Sequence, residues 1–413
     1  MKVLLISASP INKTTSIGNT FLNIMPQEFE LASIYTRAGV PDNRIKKAFT
    51  ISEKRLMRFK KGVLVEKRYN EGVNGSSDGL ETFARKHRFS VFFLLRELLW
   101  SVFGLKNKGI DEFVREFEPD IIFTVSTNQI HLNRIIEYVT EVSKKPLAVY
   151  AWDNNYFDNP YEKSFLKKKL HKKEKLYMRR VINKAEKVFV ISEKQKVDYD
   201  SEFGIDSAVL TKYESFDKTF EYRASSGVLK FVYTGNLGVG RWQTVAKLVS
   251  ALCKINADGI KAQLDIYSST PLTEEMKNSL AVKGTSEFKG SVSAEEVVAI
   301  QHSADVLVHA ESFDKRDAHQ VKYSFSTKIV DYLRRCKPIL AIGPENIASV
   351  EYFAKNDSAL VACSEKQLES CAELLVNNES LREEYARKAY DCGKRNHDEH
   401  AVKSKFVNCL KEV

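Results

Sequence analysis

Three glycines and an arginine, Gly235-x-x-Gly238-x-Gly240-Arg241, stand between an apolar run and a helical pattern. Glycine lets a chain turn tightly and approach a ligand closely. The amides that open a helix attract anions, and an arginine adds a full charge with paired donors suited to phosphate oxygens. A second set, Ser326-Thr327-Lys328-x-x-Asp331, opens another short helical pattern. Its hydroxyls and lysine again suit an anion, and Asp331 shares a helix face with Lys328. A carboxylate there can accept hydrogen bonds from vicinal hydroxyls, as acidic residues do with ribose. Both sets also have plain structural readings: a glycine-rich loop with a solvated arginine, and a helix cap followed by a surface Lys–Asp pair.

Two further stretches carry polar groups at strand ends. In "VYAWDNNYF", Asp153 and Asn154 directly follow an apolar run and form a compact set of groups of the kind that bind sugars. In "SASPINKTTSIGNTFLNI", Gly18, Asn19 and Thr20 are expected to open a helix after the first strand, or simply to cap it. His131 opens a helical pattern and suits a cap or a packing role.

Apolar runs of strand length alternate with amphipathic segments through most of the chain. Strands are expected at 3–7, 121–125, 148–152 and 187–191, and in a second series at 229–234, 263–267, 306–309, 339–342 and 359–362. Helices are expected between them, among others at 132–142, 239–254, 294–301, 328–334 and 365–375. This alternation predicts an α/β chain with two parallel, Rossmann-like sheets, each covered by helices. Ligands of such sheets bind beyond the carboxyl ends of the strands, where the sets above lie, so two such domains are expected to face a shared cleft. The expected division is 1–214, 215–395 and a C-terminal helix, 396–413, that packs back on the first domain. The polar stretch Ser215–Gly227 marks the break.

Composition narrows the class. The 413 residues are 43% hydrophobic and 29% charged, which suits a globular chain of about two domains. The six cysteines form no C-x-x-C pair, which points to reduced thiols and a cytoplasmic protein with no structural zinc. "MKVLLISASP" reads as a first strand rather than a leader peptide. The net charge of +10 calls for an anionic partner. Lys163–Lys184 holds ten Lys or Arg against one acid, with Leu166, Leu170, Tyr177 and Val181 on one helical face. Phe89–Leu105 is nearly uncharged and has basic flanks. The former suits a solvated helix or an anionic membrane surface, the latter a buried helix or a membrane-contacting one. Nucleic acid is disfavoured, because the lysine run lacks interleaved Phe or Trp.

The glycine-arginine and Ser-Thr-Lys-x-x-Asp stretches resemble the donor half of GT-B glycosyltransferases of the retaining family 4. In that family a basic residue follows the strand-end glycine by six positions, the place of Arg241, and an arginine directly follows the glycine, where this chain has Asn236. The second of the family's two paired glutamates corresponds to Asp331 and the first to Tyr323. "DVLVHAESFDKR…FSTKIVDYLRRCKPILAIGP" is more closely similar to a branch found in bacterial surface-polysaccharide clusters, in which Glu311 is the substitute carboxylate.

The resemblance implies transfer of a sugar, with retention, from a UDP- or GDP-linked donor to a glycan or lipid-diphosphate-linked acceptor of a capsule or O-antigen. It implies neither a cofactor nor a metal. Arg241 and Lys328 would neutralise the leaving diphosphate and Asp331 would hold the ribose. Gly235, Asn236, Gly238, Ser326 and Thr327 would line the donor site, with Gly290 and Ser291 at the base. Gly18, Asn19 and Thr20 would lie near the phosphates and acceptor. Asp153, with Asn154, would position a sugar, Trp152 standing where many members have histidine. A peripheral location at the inner membrane follows from a lipid-linked acceptor. The same fold also admits a nucleotide-sugar epimerase or a binding subunit without turnover.

Overall fold

The computed structural model describes residues 1–13, 16–37, 39–51, 63–65, 100, 108–224 and 227–413. The chain divides into two compact units. Unit 1 comprises Met1–Ile191, Lys196–Leu210 and Lys403–Val413, and unit 2 comprises Ser192–Gln195 and Thr211–Val402. The last residues thus return to unit 1, where Phe406 packs on Phe123 and Phe189 at ring distances of 5.8 and 5.3 Å.

Unit 1 runs β1 (Lys2–Ser7), α1 (Ser16–Ile24), β2 (Glu30–Tyr35), β3 (Ile45–Thr50), β4 (Val63–Val65), α2 (Lys108–Phe117), β5 (Ile121–Val125), α3 (Ile130–Ser143), β6 (Leu147–Ala151), α4 (Phe165–Lys184), β7 (Lys187–Val190), α5 (Glu193–Phe203, whose first residues belong to unit 2) and β8 (Ala208–Val209). Its sheet order is β4-β3-β2-β1-β5-β6-β7-β8. The pairs are parallel except β3–β4. Strands β1, β5 and β6 are near-continuous apolar runs because helices cover a parallel sheet on both faces.

Unit 2 runs β9 (Leu229–Thr234), α6 (Arg241–Ile255), β10 (Ala262–Tyr267), α7 (Glu274–Leu280), β11 (Ser286–Gly290), α8 (Ala294–Ser303), β12 (Val306–Ala310), α9 (Lys315–Gln320), α10 (Thr327–Leu333), β13 (Ile339–Ile342), α11 (Ala348–Lys355), β14 (Leu360–Ala362), α12 (Glu365–Asn377) and α13 (Glu379–His397), and α14 (Glu399–Lys411) follows. The order β11-β10-β9-β12-β13-β14 is wholly parallel. It is the doubly wound arrangement, with its reversal between β9 and β12. The core is built from β-strand residues such as Phe231, Leu264, Val308 and Leu340 against Val245, Leu248 and Leu252 of α6.

Three sequence expectations need adjustment. The crossing into unit 2 falls at Leu210–Thr211, ahead of the polar stretch 215–227. That stretch is anchored in unit 2. Phe216 is buried, packs on Tyr390, and lies where a Cβ on Gly393 would collide with it. The second concerns α4, whose buried residues are Met178, Val181 and Ile182, while Leu166 is exposed. A periodic stripe assumes packing along the whole helix, and here only the last turns pack. Third, α1 begins at Ser16, so Gly18, Asn19 and Thr20 lie inside its first turns rather than at its opening. Apart from Trp100, the apolar stretch Phe89–Leu105 lies outside the described residues. Trp100 is buried and stacks on His131 with ring centroids 4.7 Å apart, a packing role for that histidine.

Candidate functional site

The reversal in unit 2 gathers the charged residues singled out in the sequence. After β9 the chain turns at Gly235, whose amide donates to the Tyr267 carbonyl at 2.9 Å. A Cβ on Gly235 would meet the Lys328 ammonium, so a larger residue there would push the lysine away from the turn. Gly240 caps α6 with φ 67°, a conformation glycine adopts without strain, and a Cβ there would strike Ser312 and Asp317. Asn236 serves the loop itself: its side-chain oxygen accepts from the Gly238 amide at 2.5 Å, and its carbonyl accepts from the Tyr233 hydroxyl at 2.7 Å.

Arg241 is the first residue of α6. Its Nε donates to Oε2 of Glu311 at 2.9 Å and its Nη2 to Oε1 at 3.3 Å, a two-pronged ion pair between residues 70 apart. Glu311 directly follows β12, and its side chain is 3% exposed. Burial pushes its carboxyl above the usual range, and the neighbouring Arg241 and Lys328 oppose that push. The Nη1 of Arg241 lies 3.5 Å from the Gly238 carbonyl, a contact weak enough for a phosphate oxygen to replace.

Lys328, in the first turn of α10, reaches back across the turn. Its ammonium donates to the Thr234 carbonyl at 2.6 Å and sits 5.2 Å from the Tyr233 ring centroid. Burial first, and Arg241 second, bring its pKa down to about 8. The strand end beneath it is rigidly tied: Tyr332 and Gln301 both bond the Thr234 hydroxyl, at 3.0 and 3.3 Å. Behind Glu311, His309 is buried and shares a 3.0 Å hydrogen bond with Ser349, and burial keeps it neutral with a pKa of about 3. Two cations and one carboxylate thus meet at the β9–β12 reversal, with a net positive charge below pH 8. Such a cluster suits a ligand carrying two or more negative charges.

Other expected residues are placed differently. Asp331 lies on α10 as expected, but its carboxylate accepts from Lys212 at 2.5 Å. Sequence reasoning did not flag Lys212, which sits 119 residues away. Ser326 caps α10 without a side-chain cap bond, and Thr327 is exposed. Gly290 ends β11 with φ 81°, and a Cβ there would meet nothing within 4 Å, while Ser291 is exposed. Tyr323 is buried, and its hydroxyl accepts from Lys322 at 2.9 Å, so it is a packing residue of unit 2.

In unit 1, Asp153 follows β6 and its Oδ1 accepts from the Asn154 amide at 2.8 Å. Burial raises its pKa, and that backbone bond partly offsets the rise. Asn19 is exposed, with its side-chain oxygen accepting from Asn23 at 3.1 Å, while Gly18 is buried. On α4, Lys167, Lys168, Lys169, Lys172 and Lys173 are all exposed, beside Phe165 at 81% exposure. Lys167 pairs with Glu162 at 3.4 Å; the other four form no ion pair among the described residues. Among the described residues no cluster of three or more His, Cys, Asp or Glu could hold a metal ion, and no helix is long and apolar enough to cross a membrane.

No known family profile and no curated protein matches this sequence. Solved structures do match its fold. HepE of Anabaena in complex with UDP superposes with a TM-score of 0.66 over 100% of both chains at 10% identity. A sucrose-phosphate synthase of Thermosynechococcus elongatus gives 0.64 over 100% of this chain and 98% of its own, at 8% identity. An Escherichia coli trehalose-6-phosphate protein bound to UDP-2-fluoro glucose gives 0.62 over 100% and 99%, at 10% identity. The chain has the α/β fold of GT-B glycosyltransferases.

Proposed function

We propose that this chain is a glycosyltransferase that takes its sugar from a nucleoside-diphosphate donor bound at the β9–β12 reversal. The observation that carries the reading is the convergence of Arg241, Glu311 and Lys328 at that reversal. Uridine-diphosphate ligands in several structures of the same fold favour a UDP-sugar as donor. Glu311 holds the Nε/Nη2 edge of Arg241 and leaves Nη1 for a phosphate oxygen. Lys328 reaches the Gly235 turn through the Thr234 carbonyl. Charge that develops on the departing diphosphate is met by cations already in place, the largest electrostatic lever on such a step. Asp331 accepts hydrogen bonds from the ribose. Gly290 and Ser291, at the end of β11, meet the base.

The transfer proceeds with retention. The acceptor hydroxyl attacks from the face the diphosphate leaves, and a leaving phosphate oxygen takes its proton, so no side-chain base is needed. Asp153 and Asn154 position the incoming sugar, with Gly18, Asn19 and Thr20 near by on the acceptor side. The acceptor is a lipid-diphosphate-linked glycan of a surface polysaccharide, and the protein works at the cytoplasmic face of the inner membrane. Support for that location comes from α4, where exposed lysines surround an exposed phenylalanine. Each lysine near an anionic bilayer is worth about 1 kcal/mol.

Calorimetric titration with UDP and GDP tests the donor reading. Micromolar to submillimolar binding of one of them is expected, and no binding at millimolar concentration would overturn it. Epimerised donor in the absence of acceptor would replace transfer with epimerisation. The location is tested separately by flotation with phosphatidylglycerol vesicles. Binding should fall steeply with salt; a protein that ignores these vesicles at low salt is not held by α4.

A further inference from the structure

Helix α10 meets the segment that enters unit 2 through four charges in matching order. Lys212 and Glu214 are two apart on a non-helical segment, and Asp331 and Arg334 are three apart on one helix face. Lys212 donates to Asp331 at 2.5 Å and lies 3.0 Å from Glu214, and Arg334 donates to the other oxygen of Glu214 at 3.0 Å. The segment is itself fixed. The Glu214 amide donates to the His397 carbonyl at 3.0 Å, the Glu399 amide donates to the Glu214 carbonyl at 3.1 Å, and the Thr211 hydroxyl bonds the His397 ring at 2.9 Å. Lys212 therefore presents its ammonium from an anchored backbone, and its side chain is only 28% exposed.

We propose that Lys212 is a positioning residue for the donor site: it fixes the Asp331 carboxylate through one oxygen so that the carboxylate can accept hydrogen bonds from the ribose hydroxyls. This rests on the reading of Asp331 as the ribose acceptor. The electrostatics point the same way. Burial pushes the Asp331 carboxyl up, Lys212 is the strongest influence against that push, Glu214 adds to it, and Arg335 opposes it. Lys328, one turn earlier, and Tyr332 also feel the Asp331 charge. Without Lys212, burial and Glu214 would favour the protonated acid, which loses acceptor capacity. Donor binding would then fail at a higher pH than in the wild type.

The test compares UDP with 2′,3′-dideoxy-UDP, by calorimetry, from about pH 5 to 8. Wild type should prefer UDP by about 10- to 100-fold, the worth of one hydrogen bond to a charged group. Lys212→Met should lose most of that preference at neutral pH and move the acid limb of UDP binding upward, with little change in affinity for the dideoxy compound. Lys212→Arg should restore both, and Lys212→Gln, which keeps a donor without the charge, should restore neither fully. Asp331→Asn separates the two claims. If it leaves UDP affinity and the preference untouched, the ribose reading is wrong and the inference falls with it. If Asp331→Asn abolishes the preference while Lys212→Met and Lys212→Gln keep it with an unshifted pH profile, the ribose reading stands and Lys212 has no positioning role. Melting temperatures of the ligand-free variants check folding. Should Lys212→Met fail to fold, the Gln and Arg pair decides between the same two outcomes.

Discussion

The two sheets reverse direction at the same topological point, between β1 and β5 in unit 1 and between β9 and β12 in unit 2, yet the chain furnishes the two places differently. In unit 2 the reversal holds Arg241, Glu311 and Lys328, each with a named partner. In unit 1 the polar side chains described after β1 and β5 carry hydroxyls and amides, Lys13 aside: Ser7 donates to the Ser9 carbonyl at 2.6 Å and Asn133 to the Thr127 carbonyl at 2.8 Å. Topology provides a place for a ligand, and charge decides which ligand. Half-buried cations suit a diphosphate, and uncharged donors and acceptors suit a sugar hydroxyl, which loses little by leaving water if every hydrogen bond is replaced.

The strongest way to break this contrast is Arg241→Ala. Turnover should fall by about 100-fold or more, as when one preorganised donor is removed from a transition state. Glu311 would also be left buried without its partner, at a cost on the order of 3 kcal/mol in stability. The double variant Arg241→Met with Glu311→Gln should regain much of the melting temperature and none of the turnover. Wild-type turnover in Arg241→Ala would mean that the pair is structural alone.

The next largest effect is one of pH. Lys328 has its pKa lowered to about 8, so the free protein carries that charge below pH 8 and loses it above. UDP affinity should therefore decline as pH rises through about 8, by up to about tenfold per unit while UDP binding needs that one proton. Lys328→Arg, always charged, should abolish the decline. A flat profile from about pH 7 to 9.5 in the wild type would remove Lys328 from the donor site.

Unit 1 should respond through the acceptor. Asp153→Asn should raise the KM for acceptor by about three- to tenfold, as a charged hydrogen bond becomes a neutral one, with UDP affinity unchanged. A matched loss of UDP binding would put a donor contact in unit 1. The smallest effect belongs to α4. Changing Lys167, Lys168, Lys169, Lys172 and Lys173 together to glutamine should leave turnover of a soluble acceptor intact, because exposed positions without buried partners change stability by about 0.5 kcal/mol or less each.

What was legible in the sequence follows the reach of each interaction. Strands β1, β5, β9 and β13 are mostly apolar runs, and their positions match the alternation expected from them. Strands β2 and β3 carry no such signal: Ser33 is buried within β2, and Lys46 and Lys47 sit side by side in β3, so neither shows a clean period. The glycine turn and its arginine were visible because Gly235 and Arg241 lie within one loop. The Arg241–Glu311 and Lys212–Asp331 pairs were not, because they close only when strands and segments 70 and 119 residues apart come together. Local pattern names the charged groups, and the fold chooses their partners.

Phe406 has a consequence for the order in which this molecule is made. Its ring completes an aromatic cluster with Phe123 of β5 and Phe189 of β7, but the ribosome adds it roughly 200 residues after Phe189. At about 5–20 residues per second, that is a wait of roughly 10–40 s, during which the whole of unit 2 is synthesised. The first unit to leave the ribosome is thus the last to be finished. A nascent chain stalled before Phe406 lacks the ring that covers Phe123 and Phe189 on this face of the sheet, the kind of surface on which a chaperone dwells.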